Sequence, residues 1–268
     1  MRRTALRRSG MKHLVPEGER DMRERTNVSG LVSRREALQM AGTVLLGTMT
    51  VGVPAARAQA RPLRIGIIGT GRIGGALATH WTRAGHEVLL SSRHPEQLRG
   101  LATSLGPRAR VGTPREAAAF GEVVLVSVPY AAMPQIGKDN AAELRGKIVI
   151  DTSNPVTNRD GEMALAAQKK GAGVATAEFL RGTRVVRAFN CIPAASLAND
   201  GNRKPERFAI PIGGDDAQAL EVAQRLVRDA GFDPVVVGSL ARTREFDLGA
   251  PLASRQFTAA ELRKAMAR

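Results

Sequence analysis

Cysteine is all but missing from these 268 residues: Cys191 stands alone, so no disulfide can form within the chain. Aromatic residues are nearly as scarce, at 3%, with one tryptophan and one tyrosine. A core built without many rings must rely on aliphatic strands. With 43% hydrophobic residues and 28 glycines, the composition points to an α/β protein of short turns. The four histidines, His13, His80, His86 and His94, pair with no other ligand at metal-site spacing, which argues against zinc or haem. Acidic residues are also in deficit, and the formal net charge is +15. Residues 1–60 carry 11 Lys or Arg against 5 Asp or Glu, a share of +6, which leaves +9 for the other 208. That remainder is spread without long basic blocks. It reads as solvated surface with some preference for anionic ligands, and nucleic acid is not expected as a partner.

The first 60 residues read as a leader rather than part of the fold. Ser33-Arg34-Arg35-Glu36-Ala37-Leu38 has the form of a twin-arginine motif, and a mildly apolar run extends from Ala37 to Val53. Pro54 ends it, and Ala56-Arg57-Ala58 or Ala58-Gln59-Ala60 offers a small-x-small cleavage site. A membrane anchor is the alternative, but six glycines and threonines dilute the run below what a span needs. The long basic stretch ahead of the motif allows translation to start at Met22. The expectation is therefore export of a folded chain by the twin-arginine translocase, with a periplasmic or other extracytoplasmic destination after cleavage. Because that route carries folded proteins, a cofactor can be loaded before export.

Downstream, Leu63 to Ile68 is a short β-branched run of the kind a buried parallel strand requires. Gly69-Thr70-Gly71-Arg72-Ile73-Gly74 follows directly, and Ile73, Ala76, Leu77 and Trp81 then recur at helical spacing before Gly85. Glu87 to Ser92 supplies the next strand. Strand, glycine turn, helix and strand together are the context that makes G-x-G-x-x-G a dinucleotide fingerprint. Gly69 allows the tight turn, Gly71 lets backbone approach a pyrophosphate, and Gly74 lets helix and strand pack closely.

The end of the second strand discriminates between nucleotides. An NAD site places a carboxylate there for the ribose hydroxyls, whereas this chain reads Ser91-Ser92-Arg93-His94, with no acid until Glu96. Ser92 can donate to a 2′-phosphate and Arg93 can grip it through charge-assisted bonds, so NADP(H) is expected. Glu122 to Pro129 and Lys147 to Asp151 read as further strands. Ser127, Pro129 and Asn154 at their ends are candidates for the nicotinamide-side wall, because ligands of open parallel sheets lie at strand ends.

Thr183 to Asn190 reads as another strand, running into Cys191-Ile192-Pro193. Arg207 to Ile212 leads through Gly213-Gly214 to a helix capped by Asp215 or Asp216, then a last strand at Pro234 to Val237. Thr258-x-x-Glu261 makes a capping box for a C-terminal helix. The organisation expected is a leader (1–60), a nucleotide-binding domain (61–190) and a smaller C-terminal α/β portion (191–268) that completes the substrate cleft. The fold class is a Rossmann-type, doubly wound parallel sheet.

These motifs, with Val185 to Asn190, Ile192-Pro193-Ala194 and Gly213-Gly214-Asp215-Asp216, resemble the NADPH-dependent oxidoreductases of the coenzyme F-420 reductase type. The nucleotide domain of the membrane metalloreductases is similar too. The resemblance implies hydride transfer between NADPH and a deazaflavin or flavin-like ring. It implies that Thr70, Gly71, Arg72 and Ile73 line the pyrophosphate, that Ser92 and Arg93 hold the 2′-phosphate, and that Ala188 meets the nicotinamide amide through its backbone. Asn190, Ile192 and Pro193 fall where the acceptor would be floored. Two departures stand out. Gln97 occupies a place where the family often has a basic residue, and Phe246 to Phe257 is more polar than the family's C-terminal segment.

No catalytic acid or base is singled out. A short-chain dehydrogenase is excluded, because Tyr130, the sole tyrosine, is followed four residues on by Pro134 rather than lysine. The rival reading is an exported NADP-binding sensor or electron-transfer partner without turnover of its own. A homodimer stays open as a further partner.

Overall fold

The computed structural model describes residues 61–253 and 255–267. The twin-arginine motif and its cleavage sites lie outside them. Eight strands follow in chain order: β1 (Arg64–Ile68), β2 (Glu87–Ser91), β3 (Ala109–Gly112), β4 (Val123–Val126), β5 (Ile148–Asp151), β6 (Arg184–Arg187), β7 (Ala209–Gly214) and β8 (Asp233–Gly238). Between them run α1 (Arg72–Arg83), α2 (Arg99–Leu105), α3 (Pro114–Phe120), α4 (Met133–Asp139) and α5 (Ala141–Leu144). The later helices are α6 (Thr157–Asp160), α7 (Glu162–Lys170), α8 (Ala172–Phe179), α9 (Ala194–Asn199), α10 (Ala217–Asp229) and α11 (Ala259–Met266).

All eight strands form one sheet in the order β3-β2-β1-β4-β5-β6-β7-β8. The first six are parallel, in the 3-2-1-4-5-6 order of the doubly wound fold. Their aliphatic residues alternate between two cores. Ile65, Ile67, Val88, Leu90, Leu125 and Ile150 face one, while Ile68, Leu89, Val124, Val126 and Val149 face the other. A strand buried on both faces needs this unbroken apolar run, which is why these segments show no polar alternation.

β7 departs from the parallel run of the first six strands. β7 pairs antiparallel with β6, through Val186 with Gly214 and Arg187 with Gly213, and β8 then runs parallel to β7. The reason is the connection. A parallel neighbour would need a crossover back to the opposite end of the strands. Residues 188–208 instead pass through α9, which packs on α1, and re-enter at the end of the strands that they left. Gly213 and Gly214, expected as a turn, extend the strand, and a Cβ at Gly213 would meet the Thr243 methyl at 2.3 Å. The 191–268 portion thus adds its two strands to the same sheet.

Polar anchors fix the helices. Trp81 is fully buried and its Nε1 donates to the Leu226 carbonyl at 2.9 Å, joining α1 to α10. His86, also buried, accepts from the Leu63 amide at Nδ1 (3.0 Å) and faces Asp229 with Nε2 (3.0 Å). Burial pushes the Asp229 carboxyl up, but the His86 hydrogen bond, with Arg225, brings it below the usual range. Asp216 caps α10 by accepting from Ala219, and Thr258 with Glu261 forms the expected box at α11. Among the described residues, no helix is long and apolar enough to cross a membrane.

Candidate functional site

The sheet reverses its winding between β1 and β4, and the cleft lies there, at the carboxyl ends of the strands. The β1–α1 turn builds its centre. Gly69 has φ +96°, and a Cβ there would meet the Ser127 carbonyl oxygen at 2.2 Å. A Cβ at Gly74 would meet the Gly69 oxygen at 2.3 Å, so only glycine lets α1 start this close to β1. Gly71 is different: a Cβ there would meet nothing within 4 Å, because its backbone faces open cleft. Gly71 is also the N-cap of α1, no side chain caps that helix, and its first turn holds no acid. The amides of Arg72 and Ile73 and the positive end of the helix are thereby left for an anion. Thr70 also lines the larger cavity, and its amide and hydroxyl both donate to the Ser91 carbonyl, at 3.0 and 3.1 Å.

Two cavities meet at Gly71, Ser127, Val128 and Pro129. The larger, about 990 Å³, extends over β2 and is lined by Ser92, Arg93, His94, Gln97, Thr113 and Arg115, with Gln135 and Ile136 of α4 opposite. Ser92 Oγ accepts from the His94 amide at 3.0 Å, which leaves its own proton to donate outward. Arg93 is exposed and has no hydrogen-bond or ion-pair partner among the described residues. Free cation, outward hydroxyl and lack of a ribose carboxylate suit a 2′-phosphate.

The smaller cavity, about 550 Å³, lies over β5 and β6. Arg72, Ile73, Asn154, Asn190 and Ile192 line it, together with Thr152, Phe189 and Ala194. Leu248 stands 63% exposed at its rim. Among the expected residues, Ala188 and Pro193 are not among those that line either cavity. Ala188 is fully buried in the core and its amide donates to the Asp151 carbonyl at 3.1 Å, so that group is spent on the sheet. Pro193 is an exposed N-cap of α9 and does not line the cavity, whereas its neighbours Ile192 and Ala194 do.

Behind the cavity lies a buried polar network. Arg187 has no solvent exposure and reaches Asp151 at 2.9 Å and Asp247 at 2.8 Å. It also donates to the Ser153 carbonyl (2.7 Å) and to Asn154 Oδ1 (3.0 Å). Burial pushes the Asp151 carboxyl up, against the pull of Arg187. Asn154 Nδ2 donates to the Asn190 carbonyl (2.7 Å), and Asn190 Nδ2 donates to the Phe246 carbonyl (2.8 Å). Asn190 Oδ1 is left buried without a partner among the described residues. Tyr130 is buried beneath the site and bonded to Thr176 and the Ala172 carbonyl, and burial raises its phenol. Burial pushes the Cys191 thiol up to about 12, so it is no thiolate at neutral pH.

Fold and cleft together define a dinucleotide-binding protein of the Rossmann class. A family profile described as NADP oxidoreductase, coenzyme F420-dependent, matches residues 64–155. The F420-dependent NADP reductase of Methanothermobacter thermautotrophicus is 31% identical over 204 residues, covering 71% of this chain and 87% of that one. The chain belongs to this family of NADP-dependent oxidoreductases. It is also similar to metalloreductase STEAP3 of Rattus norvegicus, 33% identical over 190 residues, or 69% of this chain. It spans only 36% of that relative's length. The crystal structure of hypothetical protein SMa0349 from Sinorhizobium meliloti superposes with a TM-score of 0.64 at 27% identity, over 75% of this chain and 97% of that one.

Proposed function

We propose that the protein passes hydride from NADPH to a deazaflavin or flavin-like ring, and does so outside the cytoplasm after twin-arginine export. The carrying observation is the composition of the smaller cavity. Its lining includes no Asp, Glu, His, Lys, Tyr or Cys, so no side chain there can act as acid or base at neutral pH. Reducing a carbonyl needs such a group, whereas transfer between two stacked rings needs contact in a dry cleft. When bound, NADPH supplies a hydride that reduces the acceptor, leaving NADP⁺, with the accompanying proton drawn from water.

The chain's own part is binding and placement. The α1 N-terminus and the Gly71 backbone take the pyrophosphate, and Ser92 and Arg93 take the 2′-phosphate. Ile73, Phe189 and Ile192 floor the ring site, and Leu248 shields its mouth. Stopped-flow oxidation of NADPH by deazaflavin and by FMN tests this. Wild type should turn over with at least one of them, and Ala194→Trp, which fills the cavity, should slow transfer by about a hundredfold. Normal NADPH binding with no oxidation by either acceptor would refute the proposal in favour of a sensor without turnover.

A further inference from the structure

We infer that Asn190 holds the nicotinamide: its Oδ1 accepts a hydrogen bond from the carboxamide N–H of NADP(H) and fixes which way the ring lies in the smaller cavity. Asn190 takes this role on the reading of Ser92 and Arg93 as the 2′-phosphate grip. With the adenosine end over β2 and the pyrophosphate at Gly71, the other end of the dinucleotide extends over β5 and β6. Asn190 lines the cavity there and is only 6% exposed.

Two independent features single out this side chain. The first is an orphaned oxygen. Asn190 Nδ2 donates to the Phe246 carbonyl at 2.8 Å and lies 3.4 Å from Asn154 Oδ1. Both neighbours are acceptors, so flipping the amide would set oxygen against oxygen. Oδ1 therefore stays on the other side, buried and with no partner among the described residues. A buried amide oxygen is seldom left so, because it has given up water without a replacement. The second feature is the backbone. Phe189 has φ +61°, in the left-handed region, although it is bulky and fully buried. Such conformations persist only where the surrounding structure enforces them, and they gather at ligand sites. This one turns the chain just after it leaves β6, and Asn190 is the next residue.

The nicotinamide carboxamide carries, in its NH2 group, the donor that Oδ1 lacks. The polar groups around it are engaged with one another. Asn154 Nδ2 donates to the Asn190 carbonyl at 2.7 Å, and Arg187 is tied to Asp151, Asp247 and the Ser153 carbonyl. The Ala188 amide is spent on the Asp151 carbonyl. An acceptor ring is the poorer match for Oδ1, since it must enter and leave by the open side while Asn190 belongs to the buried wall.

The 3-acetylpyridine analogue of NADP⁺ keeps the carbonyl oxygen of the carboxamide and replaces its NH2 group by methyl. By calorimetry, wild type should bind this analogue about three- to tenfold more weakly than NADP⁺, the range of one neutral hydrogen bond. In Asn190→Ala, with folding checked by circular dichroism, the two nucleotides should bind equally, and NADP⁺ itself more weakly than to wild type. Asn190→Leu, which keeps the volume, takes its place if the alanine variant does not fold. Equal affinity of wild type for both nucleotides overturns the role of Asn190, because the carboxamide N–H then contributes nothing. A difference that survives in the variant also overturns it, since another group must then accept that N–H. If wild type binds NAD⁺ as tightly as NADP⁺, the Ser92 and Arg93 reading falls and this assignment with it. No acceptor is present in these titrations, so failure of hydride transfer is a separate result.

Discussion

Arg187 shows how one residue can govern a site without reaching the ligand. It is wholly buried, it neutralises Asp151 and half-buried Asp247, and it orients the Asn154 amide at the cavity wall. Removing one partner of a buried pair leaves the other charge stranded, at a cost of about 3–5 kcal/mol. Arg187→Met should therefore lose stability on that scale in urea denaturation, and a loss under about 1 kcal/mol would mean that the pair is dispensable. Nothing in the sequence announces this. Within Arg184–Arg187 the two arginines look alike, yet Arg184 is partly exposed and Arg187 is sealed. The fingerprint glycines were legible because each meets a local demand, and the structure shows the clash or opening that makes it. Ser92, Arg93, Ser127, Pro129, Asn154, Asn190 and Ile192 likewise reach the cavities. Ala188 and Pro193 fall outside both linings, because where a strand end releases its backbone is a matter of one residue. Arg115 and Leu248 were missed because they come from distant segments that only folding gathers.

Among the elements, α10 has the most informative anchor. Asp229 at its C-terminal end binds buried His86 and Arg225, and so ties the helix to the start of β2. A carboxyl held below its usual range stabilises the fold above that range, and its contribution is lost as pH falls through the folded value. Asp229→Asn keeps the shape and removes the charge. Its melting temperature should therefore lie below wild type at neutral pH, with the gap closing as pH falls through and below the usual aspartate range. A gap independent of pH would assign the loss to packing instead. Strand positions and caps were readable at this scale, because β-branched runs, Asp216 and the Thr258–Glu261 box are local signals. The reversed direction of β7 was not, since strand direction depends on which end of the strands a 21-residue connection returns to.

At the scale of the whole molecule, the proposed export separates two fates of one chain. Material from the cell envelope should begin at Gln59 or Arg61 by N-terminal sequencing, because both small-x-small sites precede the first strand. An intact leader in the membrane pellet would make it an anchor. The cleaved form would retain everything from β1 onward, including Trp81. Because that residue is the only tryptophan in the chain, the protein carries a built-in optical reporter. Selective excitation isolates one indole, wedged between the nucleotide-binding helix and α10 and edge-on to Phe189. Its emission reports the polarity of that single contact. A red shift signals that the two helices have parted, and quenching by energy transfer signals a reduced nicotinamide in the cleft. Folding and loading can thus be read from the same ring without a label.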